Sequence, residues 1–399
     1  MNVDFGGHPL QFYREPPLDD LVSDVLAGSG KTLATAQTLP PAAYSSKSFF
    51  DLEVEKIFRA DWICIGHVSQ LSNVGDYFTL DLFGDPIVAV RGPDRIRVMS
   101  RVCLHRWAPV VNGAGNTRVF VCPFHNWGYG LDGVLLDMPF MQKAEGINAS
   151  ECRLPELRTE IIEELGLIFV TQSATVGAIR PRVAEIIERL APYRIDEGVV
   201  VNTGHQDVDF NWKIYIETGQ ECYHHFAVHK ETLEDTRPSR LSWCEEGRPS
   251  WTVCHSALKP QLPQELNTMG LPNFPGLSEE AKRSISYFHI FPLTRLFARP
   301  DRIVLRTVYP LGPTRTIGID MSIVSREVAA QEELVSQRFS EMSERMKKQT
   351  REDLGIDEQQ QRGAASSFAK VGRFSHLEAS LWHMGEYIRA RLADSRNGA

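Results

Sequence analysis

The chain has 399 residues, which is more than one hydrophobic core usually organises, so we expect at least two domains. Its formal net charge is −8 and no long run of Lys or Arg occurs, which argues against nucleic acid or an anionic membrane as a partner. Seven cysteines without a regular spacing, no secretion-type amino terminus and no stretch of ~20 apolar residues favour a cytoplasmic protein with reduced thiols.

The first part of the chain is predicted to be an arm followed by a small β-rich domain. Residues 1–46 are rich in Gly, Pro, Ala and Thr, contain one short predicted helix at Leu18–Leu26, and are expected to pack as a linker on the larger domain. A second helix is predicted to begin with Ser48 as its cap. The domain over residues 47–170 then has predicted strands at Trp62–His67, Asp76–Leu82, Pro86–Arg91, Ile96–Arg101 and Arg118–Val121.

Residues 171–399 are predicted to form a second, larger α+β domain, because helical and extended patterns alternate there. The extended segments are Val199–Trp212, Ser286–Phe291, Arg302–Tyr309 and Thr316–Ile323. The predicted helices are Glu185–Leu190, Glu217–His229, residues 328–350 and residues 375–393.

Two short loops in the smaller domain carry a metal-binding pattern. Cys103-Leu104-His105 is followed sixteen residues later by Cys122-Pro123-Phe124-His125. Two thiolates and two imidazoles are the ligands of a Rieske [2Fe-2S] centre, in which two His replace two Cys on one iron. Tetrahedral zinc uses the same residue types, but zinc fingers usually place both Cys in one pair and both His in the other. The mixed pairs therefore favour Cys103, His105, Cys122 and His125 as ligands of an iron–sulfur cluster.

A second metal constellation lies in the larger domain, where the segment 211–229 contains three His and two Glu. Two imidazoles and one carboxylate leave open positions on Fe(II) for O₂ and a substrate. His225 and His229 are four residues apart and share a face of a regular helix, whereas His224 and His229 diverge by about 140°. Spacing alone therefore favours His225 over His224.

The chain resembles a known family at these motifs. Glu221-x-Tyr223-His224-x4-His229 resembles the mononuclear-iron motif of Rieske-type ring-hydroxylating oxygenase α subunits, whose pattern is (Asp/Glu)-x-Tyr-His-x4-His. Cys103-x-His105-Arg106 and Cys122-x-x-His125 fit the family's cluster motif, and Glu352-Asp353-x4-Glu358-x2-Gln361 resembles its final signature.

The resemblance implies a set of iron ligands that spacing does not choose. His224 and His229 would bind the mononuclear iron, so the helix predicted there must be broken or bulged between them. Asp353 would be the third ligand. The residues alone leave open which acid near Asp353 is used, and the other candidates are Glu352, Asp357 and Glu358.

The resemblance also implies supporting residues around the iron. Glu221 would accept one hydrogen bond from His224 and another from the Rieske histidine, His125, of a neighbouring chain. Asn211 and Tyr223 are further candidates for support of the site. Gly is usual in the family where this chain has Trp107 and Asn126.

The implied protein is the oxygenase component of a multi-component enzyme. Its cofactors would be a Rieske [2Fe-2S] cluster and mononuclear Fe(II), with external electrons from NAD(P)H through a flavin and iron–sulfur reductase, with or without a ferredoxin. The catalytic domain would have the family's START-like antiparallel sheet flanked by helices, and three chains would form a head-to-tail homotrimer. Neither nucleic acid nor a membrane is expected as a partner.

Two substrate classes follow from the residues and the resemblance. A Glu at position 221 resembles the carnitine and betaine oxygenase branch, which favours hydroxylation or oxidative demethylation of a quaternary ammonium compound. The alternative is ring hydroxylation or O-demethylation of an aromatic acid, with Arg295 or Arg299 on the carboxylate. A Rieske electron-transfer protein and a zinc-binding protein are the alternatives without oxygenase activity. Aromatic candidates for a cation–π cage are Tyr215, Phe226, Trp251, Tyr287, Phe288 and Phe291.

Overall fold

The computed structural model describes residues 13–394, apart from the side chains of residues 342–346 and 394. The chain is α+β, as predicted, and it combines three small sheets with one large antiparallel sheet. No helix among the described residues is both long and apolar enough to cross a bilayer.

Three small sheets form the amino-terminal β region, in the strand orders β1-β10-β9, β4-β3-β2-β5 and β6-β7-β8. The two metal-binding loops join strands of this region, and Cys103 and Cys122 lie in its core. The strands are β1 Ile63–His67, β2 Asp76–Leu82, β3 Asp85–Arg91, β4 Ile96–Ser100, β5 Ala114–Asn116, β6 Phe120–Val121, β7 Gly128–Tyr129, β8 Leu135–Asp137, β9 Arg158–Ile162 and β10 Leu167–Thr171.

Seven strands form the large sheet, in the order β11-β17-β16-β15-β14-β13-β12, and every neighbouring pair is antiparallel. Six of its strands, β12 to β17, pair in chain order, so connections between sequential strands build most of it. The strands are β11 Val199–Val208, β12 Ser242–Cys244, β13 Trp251–Ala257, β14 Ser284–Ile290, β15 Thr294–Arg299, β16 Arg302–Gly312 and β17 Arg315–Val324.

Helices flank this sheet and connect it to the amino-terminal region. The short α4 packs against β16, β17 and the long α7. The α-helices are α1 Leu18–Leu26, α2 Lys47–Glu53, α3 Ala184–Leu190, α4 Trp212–Thr218, α5 Glu279–Arg283, α6 Arg326–Ala329, α7 Glu332–Ala364 and α8 Ala379–Asp394. Apolar residues of α1 and α8 share one core with residues of β1, β3 and β4.

Several predicted boundaries differ from the structure. The cap of α2 is Ser46, whose side chain accepts from Phe49 N at 3.0 Å, because the helix already begins at Lys47 and Ser48 lies inside its first turn. The extended segment from Val199 ends at Val208, and Trp212 begins α4. The helix predicted over 328–350 is two helices, and α7 runs on to Ala364.

The prediction of one helix over Glu217–His229 is wrong. Helix α4 ends at Thr218, and Tyr223–Phe226 forms a separate 3-10 turn. The new turn starts because the Glu221 carboxylate accepts hydrogen bonds from the backbone N–H groups of Tyr223 and His224, as a helix-capping side chain does.

Candidate metal centres

The structure brings three candidate ligands of the larger domain to one point. The ligand atoms of His224, His229 and Asp353 lie within 4.8 Å of one another. Nε2 of His229 is 2.8 Å from Asp353 Oδ1, and Nε2 of His224 is 3.6 Å from the same atom. Asp353 Oδ1 is buried and accepts no hydrogen bond. Two imidazoles and a carboxylate that converge on a small space fit a cation such as Fe(II) and leave it open positions.

Each of the two imidazoles has a carboxylate on its outer nitrogen. Nδ1 of His224 is hydrogen-bonded to Glu221 Oε1, and Nδ1 of His229 is 2.8 Å from Glu352 Oε2. Because a carboxylate only accepts, Nδ1 carries the proton in the neutral imidazole and Nε2 is left as the ligand atom. Thr232 also donates to Glu352 Oε2, at 2.6 Å.

The broken helix gives the two neighbouring histidines different surroundings. The His224 and His229 rings are 5.1 Å apart and both face Asp353. His225 is buried with its Nδ1 3.4 Å from Arg237 O, and it is not among the three residues whose ligand atoms converge. The regular-helix geometry that favoured His225 does not apply, because the turn begins only at residue 223.

The surroundings of the site favour positive charge. Burial opposes protonation of His224, but the hydrogen bond to Glu221 and the negative charges of Glu221 and Asp353 together outweigh burial and raise the imidazole pKa to about 9. Burial also opposes protonation of His229, and Asp353 with Glu352 raises its pKa. Since metal ions bind neutral imidazole, a cation would replace these protons.

The other predicted supporting residues lie farther from the ligand atoms. Asn211 caps α4, where its side chain accepts from Lys213 N at 2.9 Å and donates to Pro313 O at 2.6 Å. The Tyr223 ring is 42% exposed and packs on Phe226. Of the remaining acids, Asp357 accepts from Thr218 Oγ1 and Glu358 is exposed.

The two loops of the smaller domain place their side chains as the motif predicts. The Cys103 and Cys122 side chains are buried, whereas His105 is half-buried and His125 is exposed. The two His rings lie 4.7 Å apart, so one group could bind both. Among the described residues, no three of these four ligand atoms lie within 4.8 Å of one another, as ligands of one tetrahedral zinc ion would. The wider spacing fits a two-iron core.

Both loops have the same backbone turn. Trp107 N donates to Cys103 O at 3.1 Å, and Asn126 N donates to Cys122 O at 2.9 Å. Trp107 and Asn126 have φ angles of 61° and 58°, which is the left-handed region that favours glycine. These are the two positions at which the family usually has Gly, and the turn geometry explains that preference.

Two polar contacts at the metal centres were not predicted from the sequence. The Tyr129 hydroxyl lies 3.2 Å from Cys103 Sγ and accepts from Leu104 N at 3.0 Å. Hydrogen bonds to a cluster sulfur tune its reduction potential. The second is the contact of Glu352 on α7 with His229, which joins two segments more than a hundred residues apart in the chain.

Four of the six aromatic candidates for a cation–π cage have other neighbours in the fold. Trp251, Phe288 and Phe291 are buried in apolar clusters, and Phe226 is half exposed. The Tyr215 ring already has the Arg306 guanidinium over it, at 5.1 Å.

Comparison with known proteins places these centres in one family. Residues 193–394 match the family model described as ring hydroxylating alpha subunit (catalytic domain), and residues 61–158 match the Rieske [2Fe-2S] domain. The carnitine monooxygenase oxygenase subunit of Escherichia coli (strain K12) is 24% identical over 340 residues, which are 83% of this chain and 85% of the relative. The putrescine 2-hydroxylase of Ralstonia nicotianae is 31% identical over 206 residues, 51% of this chain and 53% of the relative.

The fold is similar to that of a solved relative. The quaternary ammonium Rieske monooxygenase CntA superposes with a TM-score of 0.74 at 21% identity, over 95% of this chain and 99% of that chain. The catalytic-domain model alone covers more than half of the sequence. The chain therefore belongs to the ring-hydroxylating oxygenase α-subunit family, and it combines a Rieske [2Fe-2S] domain with a non-haem iron oxygenase domain.

Proposed function

We propose that this chain is the terminal oxygenase of a Rieske system that hydroxylates or oxidatively demethylates a small quaternary ammonium compound. The observation that carries the proposal is the convergence of His224 Nε2, His229 Nε2 and Asp353 Oδ1 in a chain that also has the two Cys/His loops. The names of the carnitine-oxidising relatives support the substrate class.

Each metal centre has a defined set of ligands in this proposal. Cys103 and Cys122 hold one iron of the cluster, and His105 and His125 hold the other. His224, His229 and Asp353 hold Fe(II), which when bound supplies O₂ activation beside the substrate. Glu221 and Glu352 hold the Nδ1 protons and so keep both Nε2 atoms directed at the metal.

Electrons reach the cluster from a separate NAD(P)H-dependent reductase, with or without a ferredoxin, in the cytoplasm. All seven cysteines are free, which suits a reducing compartment.

We further propose that three chains assemble head to tail, with the cluster of one chain against Glu221 of the next. Large apolar side chains are exposed around the two Cys/His loops, and Trp107 is 79% and Phe140 93% exposed. Exposed groups of this size are typical of surfaces that another chain covers. The members of this Rieske-tip patch are Leu104, Trp107, Val121, Phe124, Leu136 and Phe140.

A second exposed apolar group lies on the catalytic domain near Glu221. We propose that a second copy of the chain covers it. It contains Tyr223 and Phe226, whose rings lie 5.5 Å apart. Contact between this group and the Rieske-tip patch of a neighbour would bring the partner's His125 towards Glu221. In that arrangement Tyr223 covers the electron path, and Asn211 holds the start of α4.

Metal analysis and a Glu221 variant test the proposal. Protein purified without oxygen should contain about three irons and two acid-labile sulfides per chain and give a Rieske signal after reduction. Two irons would favour an electron-transfer protein, and zinc without the signal would refute the oxygenase. In Glu221→Gln both metal centres should stay occupied, but NADH oxidation should no longer be coupled to product formation. Normal coupled turnover would contradict a role of Glu221 in electron transfer between chains.

A further inference from the structure

A row of polar side chains crosses the large sheet beside the iron site. His289, Arg295, Arg306 and Asp320 are register partners on the adjacent strands β14 to β17, so they point from one face of the sheet. Helix α4 packs on this face, where the Tyr215 ring lies against the Arg306 guanidinium.

Arg295 connects this row to the metal-binding segment. Its Nε donates to Gln220 Oε1 at 3.2 Å, and its Nη2 donates to Gly219 O. These two residues directly precede Glu221, the carboxylate on His224. The guanidinium therefore lies beside the segment that holds the iron ligands.

The charges in the row do not balance. Arg306 forms a bidentate pair with Asp320, at 2.6 and 2.7 Å. His289 contributes no charge, because burial lowers its pKa to about 3. Arg295 is fully buried, forms no ion pair with any described carboxylate, and its Nη1 makes no hydrogen bond. Burial lowers the Arg295 pKa to about 9, as expected for a cation without a counter-ion.

The iron end of the site has the opposite character. Glu221, Glu352 and Asp353 surround the two imidazoles, and Asp357 lies one helical turn after Asp353 on α7. A ligand with a cationic head and an anionic tail would match both ends. A buried unpaired charge is strongly unfavourable, so an anionic partner for Arg295 would also relieve the imbalance.

We propose that Arg295 binds a carboxylate of the substrate, so that the substrate is a betaine-type zwitterion rather than a bare amine or an amino alcohol. This inference rests on the proposed function and narrows it. It distinguishes between the substrates in the relatives' names, since carnitine carries a carboxylate and putrescine does not. The carboxylate would accept from Nη1, and the ammonium group would face the acidic iron end.

Paired ligands that differ only in the carboxylate test this proposal. The iron-loaded holoenzyme is titrated calorimetrically without O₂, using γ-butyrobetaine and its methyl ester, which keeps the ammonium group and lacks the anion. Wild type should bind the acid more tightly than the ester. Arg295→Gln should weaken binding of the acid by about 10- to 100-fold and change the affinity for the ester by no more than about twofold. Arg326→Gln, which removes an exposed arginine of α6, is the control and should change neither.

Two further variants separate substrate binding from a structural role at the end of α4. Arg295→Lys keeps the charge and should retain part of the preference for the acid. A Cβ at residue 219 would lie 2.4 Å from Nη1, so Gly219→Ala should displace that group and reduce the preference without removing a charge. These variants also decide the question if Arg295→Gln does not fold.

Three outcomes would overturn the proposal or part of it. If Arg295→Gln weakens binding of the acid and the ester equally and also lowers the melting temperature, Arg295 is a positioning residue of α4. If neither ammonium ligand binds, the quaternary ammonium substrate is wrong, and benzoate becomes the probe. Benzoate binding that depends on Arg295 would then retain the carboxylate assignment, whereas no binding would refute both proposals.

Discussion

Glu352 shows how one side chain outside the metal ligands can control the iron site. It accepts from His229 Nδ1 at 2.8 Å and from Thr232 at 2.6 Å, so it fixes the ring orientation. Loss of such an outer carboxylate typically lowers metal affinity 10- to 100-fold. We expect Glu352→Gln to lower Fe(II) affinity by about that factor while the cluster stays intact, as measured by titration of iron-depleted protein. Glu358→Gln, an exposed position on the same helix, should have no effect.

A buried acid near the start of the chain's catalytic domain makes stability depend on pH. Tyr44 donates to Glu217 at 2.8 Å, and burial raises the pKa of Glu217 to about 8. The unfolded carboxyl ionises near pH 4.5, so from there to about pH 8 the unfolded chain releases a proton that the folded chain keeps. The contribution of Glu217 to folding stability therefore falls as pH rises through this window.

Glu217→Gln removes this ionisation and keeps the shape. Its free energy of unfolding relative to wild type should increase between about pH 5 and 8, by at most about 1.4 kcal/mol per pH unit. Urea denaturation of both proteins at several pH values measures the difference. A difference that stays constant with pH would mean that Glu217 is ionised in the fold.

At the scale of elements, the two turns that hold the cluster depend on left-handed residues. Asn126 has a φ of 58°, and left-handed backbone costs most L-residues about 1 kcal/mol, Asn less and Gly least. Thermal stability and cluster retention should therefore be highest for Asn126→Gly, intermediate for wild type and lowest for Asn126→Ala. Visible absorption followed during heating measures both. A higher stability for Asn126→Ala than for Asn126→Gly would contradict the turn geometry.

At the scale of the whole molecule, the Rieske-tip patch makes the single chain incomplete. A double variant, Leu136→Ser with Phe140→Ser, removes two large exposed apolar groups of the patch and replaces no metal ligand. We expect it to shift the trimer towards monomer in light scattering and to lower coupled turnover at least tenfold, with iron content unchanged. Leu311→Ser, an exposed apolar residue of β16, is the control. A stable trimer with full turnover would exclude this patch from the contact.

Features of this protein that depend on the spacing of neighbouring residues could be predicted from the amino-acid sequence. The mixed Cys/His pairs predicted a Rieske cluster, and the family models confirm that domain and the following oxygenase domain. Helix Leu18–Leu26 and strand Asp76–Leu82 have the predicted bounds, because a few neighbouring residues set each pattern. The exact domain boundaries at residues 46 and 170, and the iron ligand set itself, stay predictions.

Contacts between side chains from distant parts of the chain depend on tertiary packing and could not be predicted from local patterns. Local helix periodicity favoured His225, but the Glu221 carboxylate starts a new turn and orients His224 towards Asp353, more than a hundred residues later. The contact of Glu352 with His229 and the unpaired guanidinium of Arg295 also arise from packing between elements. Sequence patterns report the periodicity of one element, whereas a site is formed by the side chains that several elements bring together.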